Sequence, residues 1–266
     1  MSGTSRSVAQ AIRSALLTAD PRAKAMATRA VWRDWRLGRL AFAFDVAMPD
    51  RPARPERPEL LPPGRMPKRG RGQSLKGRIA LYHALTHIEF VAIDLALDMA
   101  GRFGGEGGRE LVDDFLRVAA DEAMHFALLD RRLKALGSGY GELPAHGGLW
   151  DAAYATRQDL AARLAVVPMV LEARGLDVTP RTIEWLRIAG DEPGVRVLER
   201  ILDDEIRHVR YGANHFMRLA DLCGQAPGDL WKSLVERHFG GRLSGPFNDS
   251  ARRAAGLSLH FTPALA

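Results

Sequence analysis

Apolar residues recur at helical spacing along most of the chain. Residues 8–42 read as helix in two pieces, "VAQAIRSALLTAD" and "PRAKAMATRAVWRDWRLGRLAF". The break falls at Asp20-Pro21, a pair suited to an N-cap and a first helical position. From 46 to 78 the periodicity fails in a run rich in Pro, Arg and Gly, which predicts extended or turning backbone wrapped over a core. Helical spacing resumes over 79–100, is interrupted by "GRFGGEGG", and continues over 109–136. After "GSGYGELPAHGG", residues 149–174 read as helix with a kink at Pro168, "GLDVTP" as an interruption, and "PRTIEWLRIA" as a further helical piece. "GDEPG" turns the chain into a last long helix at 195–221. β-branched runs of strand length are few, so the fold class is all-α. The expected organisation is a helical appendage (1–45), a Pro/Arg-rich strap (46–78), a bundle (79–222), and a C-terminal helix and tail packed on it (223–266).

The bundle is long enough to hold a repeat, and it does. "DEAMHF" at 121–126 returns as "DEIRHV" at 204–209. Glu89 precedes Glu122 by 33 residues, Glu172 precedes Glu205 by 33, and the two halves are offset by 83. Asp94 then aligns with Asp177, Asp121 with Asp204, and His125 with His208. Each pair straddles a turn, near 102–108 and near 190–194. A hairpin at each turn brings the upstream glutamate level with its Glu-x-x-His.

Glu and His three apart share one helix face. The apolar flanks of "RVAADEAMHFALL" turn that face inward. Two hairpins packed together would converge Glu89, Glu122, His125, Glu172, Glu205 and His208. Four buried carboxylates repel one another unless cations sit among them. One Glu from each of two helices, with Glu-x-x-His from the other two, is the donor set of dinuclear carboxylate bundles. Asp121 and Asp204 stand beside the ligand glutamates, placed to hold the far nitrogen of a ligand histidine. Asp94 and Asp177 point elsewhere, to support the site or cap local backbone. His83 and His87 share a face but not the direction of Glu89 and read as structural histidines. Tyr82 and Tyr211 read as core or rim tyrosines. No catalytic residue is expected beyond the ligands.

Charge and composition narrow this further. The 266 residues are 46% hydrophobic, enough for a full core. The single cysteine, Cys223, excludes an internal disulfide and a thiolate cluster. No signal peptide and no uninterrupted apolar run of membrane-spanning length is read, so a cytoplasmic protein is expected. The net charge of +6 gathers in the strap and in a tail carrying Arg242, Arg252 and Arg253. The strap's basic residues have no aromatics among them, which disfavours nucleic acid.

The chain also resembles the ferritin-like superfamily, and more closely the bacterial family catalogued as domain of unknown function 455. The stretches that carry the likeness are "RPERPELLPP", "HALTHIEFVAIDLALD", "AADEAMHFALLDRRL", "EARGLDVTP", "LDDEIRHVRYG" and "PFNDSARRAAG". The resemblance implies a ferritin-like four-helix bundle with extra N-terminal helices and the same six ligands. Arg207 stands between Glu205 and His208 as in many diiron proteins. Met124 replaces it in the first copy, which touches one outer salt bridge and not ligation.

The function expected is that of a diiron oxidoreductase using dioxygen, an oxygenase or hydroxylase of a small organic substrate, served by a reductant protein. Two manganese ions or a mixed manganese–iron pair are the alternatives to two iron ions. The competing functions are a dimanganese catalase-like enzyme, an iron-handling or storage protein, a metal-stabilised binding protein, and a tRNA-modifying hydroxylase. A monomer or small homo-oligomer is expected.

Overall fold

The computed structural model describes residues 6–67, 74–240, 245–257 and 261. Lys68, Arg69 and Arg71 of the strap and Arg242 of the tail lie outside the described residues. Among those described, regular structure is helical, with no strand beyond isolated bridges. The chain divides into two compact units, Met1–Gly147 and Gly148–Ala266. The boundary lies inside the segment expected to form the bundle.

The first unit holds α1 (Val8–Leu16), α2 (Pro21–Arg36) and the long α3 (Leu75–Ala135). Ser7 caps α1 and Asp20 caps α2, with the Asp20 carboxylate accepting from Ala23 N at 2.8 Å and Pro21 in the first turn. This is the start the sequence predicts. The helix stops at Arg36 rather than running to 42, because Gly38 takes φ 65° and turns the chain. Both α1 and α2 pack on α3.

The described part of the strap, residues 46–67, lies along this unit. Its backbone is pinned by Ala53 N to Leu16 O (2.9 Å) and by Leu61 N to Ala145 O (2.8 Å). Arg102 Nη2 donates to Pro49 O at 2.9 Å.

"GRFGGEGG" is not the break that its glycines suggest. α3 remains helical through it and reverses at Gly108 alone, with φ 80° and ψ −179°. A side chain is strained in that backbone region, so Gly108 is required. The other glycines serve packing: a Cβ on Gly101 would overlap Met48 and Ile12, and one on Gly104 would overlap Phe44 and Val112. Gly108 divides α3 into a first arm (75–107) and a second arm (109–135). Phe90 of one meets Phe126 of the other at 5.6 Å between ring centres. By length and composition α3 could cross a membrane. Yet 67% of its most apolar 18-residue stretch is buried inside the protein.

The second unit runs α4 (Gly148–Ala155), α5 (Leu160–Val166), a π turn (Val167–Glu172), α6 (Ala173–Ile188), α7 (Glu192–Leu222), α8 (Pro227–His238) and α9 (Asp249–Ala254). The expected helix over 149–174 is split at 156–159, where Asp159 caps α5. The kink at Pro168 takes the form of the π turn. Gly212 of α7 leaves room for the Pro168 ring, which a Cβ there would overlap.

"GLDVTP" does not interrupt. α6 runs through it with Pro180 inside. A proline there removes the bond to the carbonyl four residues back, Leu176. Asn248 Nδ2 supplies a replacement at 3.1 Å. Expectation and structure differ because the compensating donor lies 72 residues away.

Asp94 and Asp177, aligned by the repeat, do equivalent work in the two units. Buried Asp94 binds Lys24 Nζ at 2.6 Å and Arg54 Nη1 at 3.1 Å, tying α2 and the strap to α3. Burial lowers the Lys24 ammonium and raises the Asp94 carboxyl, each opposed by their contact. Buried Asp177 takes Arg252 Nε and Nη2 at 2.8 and 2.7 Å and Asn248 N at 2.9 Å, tying α9 to α6. Asp177→Ala would leave the buried guanidinium of Arg252 without its anion. The expected loss is about 3–5 kcal/mol in denaturant unfolding. Limited proteolysis should then cut near residues 245–257 faster than in the native chain.

Candidate metal centre

Gly108 reverses α3 so that Glu89 on the first arm faces Glu122 and His125 on the second. His125 Nδ1 lies 3.2 Å from Glu122 Oε2 and 3.5 Å from Glu89 Oε2. One donor atom from each of the three falls within 4.8 Å of the others. Glu89, Glu122 and His125 are 6%, 1% and 0% exposed. The walls are apolar: Phe90, Val118, Ala119 and Phe126 are buried beside them. Burial, and then the neighbouring charge of Glu122, push the Glu89 carboxyl well above its usual range, opposed by His125. Two carboxylates and an imidazole so placed form a hard, anionic donor set able to hold a divalent cation. The cation would relieve the cost that the burial imposes.

The second copy lies in the second unit. His208 is fully buried on α7, with Nδ1 3.7 Å from Glu205 Oε1. Glu172 ends the π turn, half-buried, and that turn packs on α7. A π turn shifts the helical phase of the residues after it and recurs at functional positions. Here it sets the direction of Glu172, as the irregularity expected around Pro168 implies.

Asp204 is buried and accepts from Arg200 Nε at 2.7 Å and from Arg207 Nη2 at 2.6 Å. Arg207 thus makes the outer salt bridge anticipated for it, which Met124 in the first copy cannot make. Asp121 is half-buried on the second arm of α3. Tyr82 is fully buried, with the Arg132 guanidinium 6.0 Å from its ring centre, and Tyr211 is half-buried.

Both histidines of the pair are held by the loop that follows α3. His83 Nε2 accepts from Gly141 N (3.0 Å) and Leu143 N (3.3 Å). His87 Nε2 meets His146 O at 3.2 Å and its Nδ1 meets Tyr140 Oη at 2.9 Å. Tyr140 was not singled out in the sequence. Its ring centre lies 5.5 Å from that of Phe90 and 5.6 Å from that of Phe126, so it closes the aromatic wall beside the ligands. An aromatic alone in the Gly-rich break "GSGYGELP" was the available signal.

Burial, aided by the charge of Arg54, lowers His87 from 6.5 to about 4. The unfolded chain therefore binds the extra proton between those values. The stability that neutral His87 contributes is full above pH 6.5 and is lost as pH falls toward 4. The span corresponds to at most about 3 kcal/mol. Urea unfolding at a series of pH values should show the slope. His87→Phe should flatten it by that amount, whatever its effect on stability at neutral pH.

A family model described as "Protein of unknown function (DUF455)" matches residues 17–262. A protein from Haemophilus influenzae, described as uncharacterized, is 42% identical over 212 residues, covering 77% of this chain and 73% of its own. No solved structure matches.

Proposed function

Since the chain belongs to the family described as Protein of unknown function (DUF455), whose description names no reaction, we propose its function from the site: a dinuclear metalloenzyme, an oxygenase or hydroxylase of a small organic substrate. The observation that carries this reading is the buried Glu89, Glu122 and His125 cluster, together with its repeat in Glu172, Glu205 and His208. In this proposal the two triads of a ferritin-like protein would hold two iron ions, with manganese or a mixed pair as the alternative. Two iron ions so held supply the binding and reduction of dioxygen.

The chain's own residues do the rest. His125 and His208 present Nδ1 to their neighbouring carboxylates. Asp121 stands beside Glu122, placed to orient a ligand imidazole from behind, while Asp204 is held by Arg200 and Arg207. Glu89, whose carboxyl is pushed up by burial and by Glu122, would bind the cation as the carboxylate. Phe90 and Phe126 exclude water from one side. Electrons come from a reductant protein.

Nucleic acid is not favoured as substrate. One strap arginine, Arg54, is spent on Asp94 and on the Phe90 ring, 5.2 Å from its centre. That is an anchoring role rather than phosphate contact.

Anaerobic iron loading followed by elemental analysis should give two metals per chain. Reductant should then make the loaded protein consume oxygen, while the metal-free protein stays inert. One zinc per chain, or no metal under any loading, would defeat the reading. Manganese uptake with peroxide disproportionation would replace it by a catalase-like one. Glu122→Ala should weaken metal affinity by more than the roughly 10–100-fold that losing an outer hydrogen-bond partner costs. Its helical content should stay native, since the ligand's own repulsion with Glu89 is removed too. Full occupancy in that variant would show the ligand assignment wrong.

A further inference from the structure

We propose that the cavity between the strap, the start of α3 and the loop at 141–144 is a binding site for an apolar molecule carrying a carboxylate head. The cavity holds about 480 Å³, within the range of small-molecule sites. Met66 and Pro67 of the strap, Leu75 and Ile79 of α3, and Leu143 and Pro144 of the loop give it apolar walls. Residues 76, 79, 80, 83 and 84 of α3 all line it, the stripe that one helix face presents. An apolar hollow of this size favours a hydrocarbon body.

The polar groups specify the head. Among the lining residues none is acidic. Ser74 is committed to its helix, its Oγ accepting from Gly77 N at 3.1 Å. Lys76 meets no acidic side chain among the described residues. His83 is 1% exposed and lines the same cavity. Its Nε2 accepts two backbone N–H groups, so in the neutral ring the proton sits on Nδ1. Burial lowers the pKa of this imidazole, opposed by the charge of nearby Glu142. Among the described residues that Nδ1–H meets no acceptor. Lys76 and His83 are seven apart, two turns along one face and about 10 Å by helix rise. A cation and one N–H donor match the two oxygens of a carboxylate.

None of the six proposed metal ligands lines the cavity, so the site is tested on the metal-free chain and stands apart from the metal reading. The probes are decanoate and decyltrimethylammonium below their micelle concentrations, titrated calorimetrically against the purified full chain. Decanoate should bind saturably, one per chain, and at least about tenfold tighter than the cation. The His83 ring nitrogens should shift in NMR spectra on binding. Lys76→Ala should weaken decanoate severalfold. Ala80→Phe, which fills the cavity, should abolish binding. Ala84→Leu is a milder filling variant should the first fail to fold, and circular dichroism checks both. Absence of saturable binding, or binding unchanged in a folded filling variant, overturns the site. Equal affinity for the two head groups, or His83 nitrogens that do not shift, overturns the carboxylate assignment.

Discussion

Two carboxylates and an imidazole are buried within hydrogen-bonding reach of one another in the first unit, and much of that unit is arranged around them. Glu89 and Glu122 cannot both be charged in an apolar setting without a cation or a proton between them. Burial and the charge of Glu122 push the Glu89 carboxyl upward, in the direction of the proton solution. The metal solution asks for the same geometry with the proton gone. Either way the two arms of α3 must be held in register against mutual repulsion. Gly108 makes the reversal. Phe90 packed on Phe126 holds it. The glycines ahead of the turn let Met48 and Phe44 press close. A segment that looks like a loop in composition is thereby a packing surface.

What could be seen in the sequence was what depends on local spacing. Glu-x-x-His on one helix face, Asp20-Pro21 as a helix start and Gly-containing turns between long helices all rest on residues within one or two turns of each other. What could not be seen depends on distant partners. Pro180 reads as a breaker because proline removes a hydrogen bond, and nothing near it shows that Asn248 restores one to Leu176. "GRFGGEGG" reads as a break because glycine is a poor helix former. The residues that profit from its missing side chains, Ile12, Phe44 and Met48, lie far back in the chain. Tyr140 was missed for the same reason. Its value comes from His87, Phe90 and Phe126, not from its neighbours in sequence.

The repeat reached further than the ligands. Asp94 and Asp177 are offset by the same 83 residues as the glutamates, and each takes a basic side chain from outside the duplicated segment. Lys24 and Arg54 come from the N-terminal helices and strap, Arg252 from the short C-terminal helix. A bare pair of hairpins would leave these aspartates buried without partners, a cost of several kcal/mol each. The appendages are therefore part of what makes the repeated segments tolerable in a folded protein. Lys24, Arg54 and Arg252 are thus counter-charges to the interior.

His83 and His87 show how far two like residues four apart can diverge. Both are buried on the same face of α3, and both rings lie near Tyr140. The loop presents two N–H groups to Nε2 of His83 but a carbonyl to Nε2 of His87. A carbonyl only accepts and an N–H only donates, so the two neutral rings must be opposite tautomers. In His87 the proton is on Nε2, and Nδ1 receives the Tyr140 hydroxyl. In His83 the proton is on Nδ1, a donor with no acceptor among the described residues. The backbone of one loop thus assigns a closed structural role to one histidine and an open donor to the other, from a sequence pattern that treats them alike.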